Sequence, residues 1–175
     1  MKIIKLLIIP AALLVLLSLS LSAGDVEQPT TAKSKINWLS YDEGLKKAKE
    51  ENKHVFIDFT TAWCGYCKKM EKEAFADSAV IDILNNHFVA VRVDGDSKDT
   101  LDIDGYRITE QELTRQEYGV SGYPTFWWLK PDGSKLGRQP GYQTTEWMIG
   151  ALNYVKDYAY DTTKTQQSQT NADGK

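Results

Sequence analysis

The chain has 175 residues, a formal net charge of −3 at pH 7 and only two cysteines. A mildly acidic protein without a basic run has no electrostatic footprint for nucleic acid, so we exclude nucleic-acid partners. The roughly 150 residues left after an amino-terminal segment is removed suit one domain with a full hydrophobic core.

The first 23 residues have the layout of a secretory signal peptide. Lys2 and Lys5 provide a positive start, residues 6–17 are largely apolar, and residues 18–23 are small and mixed. We predict cleavage after residue 22 or 23 and export to the periplasm or another compartment where disulfides can form. The alternative is an uncleaved membrane anchor, because the apolar stretch is nearly long enough to span a bilayer.

The predicted elements then alternate between helices and strands. Residues 24–36 read as a polar linker, and Ser40 with Glu43 forms a capping box at the start of the first helix. Helices are predicted at 41–52, 64–75, 78–87, 112–119 and 146–160, and strands at 54–61, 88–94, 125–130 and 134–139. This order predicts a single α/β domain over residues 37–158, followed by a disordered tail at 159–175.

An acidic stretch from residue 95 to residue 109 interrupts this pattern, and we predict a loop insertion there. A calcium-binding loop needs acidic residues at alternate positions and a glycine at the sixth. The stretch that begins at Asp94 has Lys98 at its fifth position and Asp99 at its sixth, so the pattern fails. We therefore favour a solvated loop for residues 95–109. Whether this loop contacts a partner protein is left open.

The two cysteines, Cys64 and Cys67, lie where the first predicted strand gives way to a helix. The unpaired amides and the positive dipole end of a helix favour a thiolate over a thiol at Cys64. Cys67, one turn further on, should be shielded. This asymmetry suits thiol–disulfide exchange, in which Cys64 attacks a partner disulfide and Cys67 resolves the mixed disulfide.

Two other interpretations of this cysteine pair are disfavoured. A structural cross-link adds little stability, because so short a spacing closes almost no loop. A zinc site or an iron–sulfur cluster usually needs four ligands, and the chain offers only His54 and His87 besides the two cysteines. We therefore predict no metal.

Two further residues interrupt strands in ways that indicate a site. Asp58 lies in an apolar strand six residues before Cys64. If it is buried and unpaired, its pKa should rise, and it can exchange protons with Cys67; the alternative is a side chain turned to solvent. Pro124 lies at the start of a strand and, having no N–H, cannot donate a hydrogen bond to a neighbouring strand. The alternative to a functional role is an ordinary trans proline in an edge strand.

Aromatic residues are concentrated towards the carboxyl end. They include Trp127, Trp128 and the tyrosines of the final helix. At strand and helix spacing such residues more often pack against the core than bind a ligand. We predict packing for them, and a binding surface only beside Pro124.

The stretches VFIDFTTAWCGYCKKMEKEAF and YGVSGYPTFWWLKPDGSKLGRQPGY resemble the thioredoxin superfamily. The resemblance covers roughly residues 37–157 and rests on Asp58, the Cys64–Cys67 pair and Pro124 in the family's order. The pattern is most similar to exported thioredoxin-like proteins that resemble the C-terminal domain of the bacterial transmembrane disulfide reductase. The implied fold is the thioredoxin fold, a single domain with a central mixed sheet flanked by helices.

The resemblance also implies a role for each site residue. Cys64 would be the exposed nucleophile, Cys67 the resolving thiol and Asp58 the buried proton-transfer group. Pro124 would be cis and packed against the disulfide, and Tyr123 would offer its backbone to an extended substrate. The substrate-binding residues implied in this way are Trp63, Gly65, Tyr66, Tyr123 and Pro124.

We therefore predict an enzyme, a periplasmic thiol–disulfide oxidoreductase that mainly reduces disulfides in client proteins. It would need no cofactor beyond the Cys64–Cys67 disulfide, act as a monomer and receive electrons from a membrane donor of the transmembrane disulfide reductase type. Gly65-Tyr66 replaces the Gly-Pro of ordinary thioredoxins and occurs in periplasmic disulfide isomerases, so an isomerase or oxidase stays open. A binding module with a permanently oxidised cysteine pair is the alternative from another class.

Overall fold

The structure is a computed structural model that describes residues 35–161. The predicted signal peptide, most of the linker and the tail beyond residue 161 lie outside the described residues. The helices are α1 (Tyr41–Glu51), α2 (Gly65–Lys72), α3 (Ser78–His87), α4 (Glu110–Glu112) and α5 (Thr145–Lys156). The strands are β1 (His54–Thr60), β2 (Phe88–Asp94), β3 (Thr100–Ile103), β4 (Tyr106–Thr109), β5 (Thr125–Leu129) and β6 (Lys135–Pro140). A 3-10 turn (Ala74–Ala76) follows α2, and a π-helical turn (Leu113–Glu117) follows α4.

The main sheet has four strands in the order β2-β1-β5-β6. Strand β1 pairs in parallel with β2 and antiparallel with β5, and β5 pairs antiparallel with β6. The sheet is therefore mixed. Every residue of β1 except the last is buried, because both faces of the central strand are covered.

The two faces of the sheet have separate cores. One face packs against α2, α3 and α5 through residues such as Met70, Leu84 and Leu152. The other face packs against α1 and the β3–β4 pair through residues such as Ala48 and Leu101. Helices flank a central sheet as predicted, and strand alternation decides which core each β1 side chain enters.

Side-chain caps begin α1, where the predicted capping box is present, and also α3 and α5. The Glu43 carboxylate accepts hydrogen bonds from the backbone N–H and the hydroxyl of Ser40, at 3.4 and 2.8 Å. Asp77 accepts from two amides at the start of α3, and Thr144 accepts from the amide of Trp147 in α5. These bonds satisfy amides that lack a partner within the helix.

The prediction of a loop at residues 95–109 is wrong over its second half, where β3 and β4 form an antiparallel hairpin. Asp104 and Gly105 form its turn, with φ values of 52° and 88°. Leu101 and Ile108 lie opposite each other and are both buried. An Asp-Gly pair between alternating apolar residues is a hairpin signal, but the density of acidic residues obscured it.

A side-chain contact continues the packing to Tyr160. The hydroxyl of Tyr160 lies 2.6 Å from Nε2 of His54 at the start of β1. The rings of Tyr158 and Tyr160, which follow α5, both contact the His54 ring.

Gly44 offers a test of the packing between α1 and β2. A Cβ at this position would lie 2.2 Å from Cγ2 of Val91, which is fully buried and stiff at χ1. Alanine gains about 1 kcal/mol of helix propensity over glycine, but overpacking a core costs about 1–3 kcal/mol. We expect Gly44→Ala to lower the free energy of unfolding, measured in urea, by about 1 kcal/mol.

Gly150 in α5 is the matched control, because nothing lies within 4 Å of a Cβ added there. Gly150→Ala should gain up to about 1 kcal/mol from helix propensity alone. Equal stabilisation by the two substitutions would contradict the close contact at Gly44.

Candidate active site

Cys64 and Cys67 form a disulfide at the amino terminus of α2, with their Cα atoms 5.3 Å apart. Cys64 is the N-cap residue, and its Sγ accepts a hydrogen bond from the backbone N–H of Cys67 at 3.0 Å. The sequence-based expectation of a sulfur at the first turn of this helix is confirmed. A negative charge on Sγ would be stabilised there by the amide and the helix dipole.

Cys64 is not exposed in this structure, in contrast to what the family resemblance implies. Its exposed fraction is 4%, and that of Cys67 is 5%. Gly65, between them, is exposed, and an added Cβ there would meet nothing within 4 Å.

The register of β1 and β5 brings Pro124 to the same end of the sheet as the cysteine pair. Phe59 lies opposite Thr125, so Pro124 precedes β5 where β1 runs out towards Cys64. The Tyr123–Pro124 peptide bond is cis, and the Pro124 carbonyl accepts a hydrogen bond from the N–H of Gly141 at 2.8 Å. A cleft of about 310 Å³ lies here. We call it the proline cleft; it is lined by residues 119–125 with Arg138, Pro140 and Gly141.

Exposed aromatic rings flank the cysteine pair. Trp63 is 68% exposed and Tyr66 is 64% exposed, which is unusual for large apolar side chains. The Trp63 ring meets the Tyr123 ring edge-on with centroids 5.8 Å apart, and Tyr66 lies near Tyr142 at 6.2 Å. Four of the five predicted substrate-binding residues thus border the disulfide or the proline cleft, and Gly65 lies between the two cysteines.

Sequence reasoning missed the residue that holds Trp63. The indole N–H of Trp63 donates a hydrogen bond to Asp96 at 2.6 Å, and Arg115 forms an ion pair with the same carboxylate at 3.6 Å. Gly95 packs against Tyr123 so closely that an added Cβ would lie 2.0 Å from the tyrosine oxygen. The first part of the predicted insertion is therefore a wall of the site.

Asp58 is buried, with an exposed fraction of 2%, as the functional interpretation predicted. It is paired, however. Its Oδ2 accepts a hydrogen bond from Nε of Arg92 at 3.0 Å, and Oδ1 has no hydrogen-bond partner in the described part of the chain. Arg92 also contacts Glu71 of α2 and lies 4.0 Å from the centre of the Trp38 ring.

Burial raises the pKa of Asp58 from 3.8 to about 6, and the charge of Glu71 adds to this increase. Arg92 opposes the increase through its charge and its hydrogen bond. Desolvation wins because the carboxylate has lost nearly all contact with water while Arg92 is shared between two acids. Asp58 is thus an acid that can gain or lose a proton near neutral pH.

The sequence contains a pattern that indicates the Asp58–Arg92 pair. Arg92 is the only charged residue inside the apolar strand FVAVRV, as Asp58 is inside HVFIDF. The parallel register places the two opposite each other. The pairing itself depends on which strands are neighbours, so the sequence without a topology could not show it.

Between residues 35 and 161 no group of three or more His, Cys, Asp or Glu side chains is placed to hold a metal ion. No helix in the same part of the chain is long and apolar enough to cross a membrane.

Comparison with known proteins agrees with this geometry. Residues 41–156 match the family described as Thioredoxin-like domain. An uncharacterised protein of Caenorhabditis elegans is 33% identical over 102 residues, which are 58% of this chain but 13% of that protein. The chain therefore spans only about an eighth of that long relative.

Two relatives of similar size are also informative. Disulfide bond reductase DsbH of Chlamydia pneumoniae is 31% identical over 114 residues, 63% of this chain and 68% of that protein. The solution structure of a putative disulphide-isomerase from Bacteroides thetaiotaomicron superposes with a TM-score of 0.54 and 34% identity. The superposition covers 69% of this chain and 92% of that one.

The chain belongs to the thioredoxin-like family, and the predicted thioredoxin fold is confirmed. A cysteine pair at the start of α2 is an arrangement that suits thiol–disulfide exchange.

Proposed function

We propose that this protein is exported and reduces disulfide bonds in client proteins through the Cys64–Cys67 pair. The observation that carries the proposal is the hydrogen bond from the Cys67 amide to Cys64 Sγ at the helix start, at the end of the sheet where Pro124 lies. The chlamydial relative, named as a disulfide bond reductase and matched over 68% of its length, supports the reducing direction.

In the first step, the Cys64 thiolate attacks one sulfur of a client disulfide. A bond forms between Cys64 Sγ and that sulfur, and the other client sulfur leaves as a thiolate. The amide of Cys67 and the dipole of α2 stabilise the attacking charge. Trp63 and Tyr123 border the approach, and the Tyr123 backbone would pair with the extended client chain.

In the second step, Cys67 attacks Sγ of Cys64 and releases the second client thiolate. The client has then gained two electrons, and the enzyme has the disulfide seen in the structure. The Cys67 thiol must lose a proton before it attacks, and we assign Asp58 as the group that takes it. A carboxyl group whose pKa is about 6 is suited to that exchange near neutral pH.

The enzyme must be reduced again after each turnover. We assign this step to a membrane dithiol donor of the transmembrane disulfide reductase type, which would be oxidised as the Cys64–Cys67 disulfide is reduced. The site uses no cofactor or metal, and one chain is sufficient. Export rests on the composition of residues 1–23, and the mass of the mature protein tests whether they are removed.

The second candidate function is disulfide isomerisation or oxidation. Gly65-Tyr66 between the cysteines favours it, and so does the 34% identity to a structure named as a putative disulphide-isomerase. The two functions differ in the reduction potential of the cysteine pair.

Equilibration with glutathione buffers therefore tests the proposed function. Known couples range from about −270 mV for thioredoxin to about −120 mV for a strong oxidant. The fraction of reduced protein is measured by alkylation and mass spectrometry, with Cys64→Ser/Cys67→Ser as the blank. We expect a reduction potential in the reducing half of this range. A value near the oxidising end would favour the second candidate. A cysteine pair that never exchanges with glutathione would indicate a binding module and not an enzyme.

A further inference from the structure

Trp63 is exposed to solvent and yet held in one orientation. It directly precedes Cys64, and 68% of its surface is accessible to water. Its indole N–H donates a hydrogen bond of 2.6 Å to Oδ2 of Asp96, and its ring meets the Tyr123 ring at an angle of 80°. An exposed side chain without such contacts exchanges between rotamers. Two contacts to different residues therefore fix the ring that stands beside the proposed nucleophile.

Asp96 is itself held in place on two sides. While Oδ2 accepts the hydrogen bond from Trp63, Oδ1 lies 3.6 Å from Nη2 of Arg115. The backbone N–H of Asp96 donates to Oδ1 of Asp94, the last residue of β2, at 3.0 Å. A carboxylate forms a stronger hydrogen bond than a neutral acceptor does. Asp96 can therefore hold the indole although both side chains are partly exposed.

The same turn of the chain supports the ring of Tyr123, which directly precedes Pro124. Gly95 donates its N–H to the carbonyl of Thr60, the last residue of β1, at 2.9 Å. Its backbone lies so close to Tyr123 that an added Cβ would be 2.0 Å from the hydroxyl oxygen and 2.5 Å from Cζ of the ring. Residues 95 and 96 thus support both aromatic rings that border the approach to the disulfide.

We infer that Asp96 is a positioning residue for the client polypeptide. By holding Trp63 against Tyr123, it forms in advance the aromatic surface that an extended client chain meets when its disulfide reaches Cys64. The client then loses no binding free energy in ordering the tryptophan ring. Because Asp96 acts through Trp63 and not on a sulfur atom, its effect is on client affinity. This inference rests on the proposed function and names a residue that sets its affinity for polypeptides.

Single turnovers of the reduced full chain test the inference. The substrate is an extended peptide whose one cysteine is in a mixed disulfide with thionitrobenzoate, and release of this group is followed by absorbance. Asp96→Ala should raise the half-saturating peptide concentration about fivefold, as expected for one side chain that is no longer ordered in advance. The limiting rate should change by less than about twofold. Asp96→Asn keeps an oxygen acceptor and should restore most of the affinity.

A double-mutant cycle shows whether Asp96 acts through the indole. Trp63→Phe keeps an aromatic ring but removes the donor, so adding Asp96→Ala to it should have no further effect on affinity. Asp99→Ala is the matched control, because Asp99 is an exposed acid of the same loop. This control should bind the peptide like the wild type. Urea unfolding of every variant shows whether its folding stability has changed.

A second measurement does not depend on catalysis. The indole proton of Trp63 is identified in the nuclear magnetic resonance spectrum by its loss in Trp63→Phe. It should exchange with water about tenfold faster in Asp96→Ala than in the wild type, because its hydrogen bond to a charged group is gone. An unchanged exchange rate would contradict the role of Asp96 in holding the ring.

The outcomes separate the inference from the proposed function. Equal half-saturating concentrations for Asp96→Ala and the wild type would overturn the inference, even if the variant were less stable. An undiminished effect of Asp96→Ala in the Trp63→Phe background would also overturn it. If the wild type releases no thionitrobenzoate, the proposed function fails. Titration with a fluorescent form of the peptide that has serine for cysteine then decides the inference, and equal dissociation constants for Asp96→Ala and the wild type would overturn it.

Discussion

Cys64→Ser is expected to abolish disulfide reduction, lowering the rate by about a thousandfold or more. The Cys64 sulfur at the helix start accepts a hydrogen bond from the amide of Cys67, and the only other cysteine of the chain is Cys67 itself. A hydroxyl in its place is a far weaker nucleophile near neutral pH. The measurement is turnover of a small mixed disulfide and of a protein disulfide.

Cys67→Ser is the matched variant, because it removes a sulfur but keeps the proposed nucleophile. It should react once and stop as a mixed disulfide between Cys64 and the client, which mass spectrometry detects. Turnover retained in Cys64→Ser, or a client trapped on Cys67 instead, would reverse the roles assigned here.

Asp58→Asn is expected to stabilise the folded protein at neutral pH while slowing the second step of reduction. Burial raises the pKa of Asp58 to about 6, from the value of 3.8 for an aspartate in water. At neutral pH the ionised carboxylate therefore costs about 3 kcal/mol of folding free energy, and a neutral amide avoids that cost.

The dependence on pH follows from the sign of the shift. Between pH 3.8 and about 6 the folded protein keeps a proton at Asp58 that the unfolded chain has lost. The free energy of unfolding of the wild type should fall as the pH rises through this window. Asp58→Asn should match the wild type below this window and exceed it by about 3 kcal/mol above it, measured by urea unfolding.

The catalytic part of this prediction needs its own measurement. Stopped-flow release of the second client thiol should be slower in Asp58→Asn by about 100-fold, a typical loss for a proton-transfer group. The wild-type rate should show an inflection near pH 6 that the variant lacks. Asp99→Asn, an exposed acid of the loop before β3, is the control. An unchanged second step in Asp58→Asn would leave the carboxyl group without a catalytic role.

The sequence alone determined those features that depend on neighbours along the chain. The cysteine pair at a strand–helix boundary, the capping box at Ser40 and the buried strand HVFIDF follow from spacing and periodicity. Cys64 at the first turn of α2 was therefore predictable. The β3–β4 hairpin was also predictable in principle, because its signal is the adjacent pair Asp104-Gly105.

Only the tertiary structure decided which residues meet across the sheet. Arg92 reaches Asp58 because β1 and β2 are parallel neighbours in one register, and Asp96 reaches Trp63 from 33 residues away. A cavity of about 610 Å³ between β6 and α5 is bordered by Gly137 and Gly150, which come from different elements. Such contacts arise from packing of whole elements, which periodicity within each element does not specify.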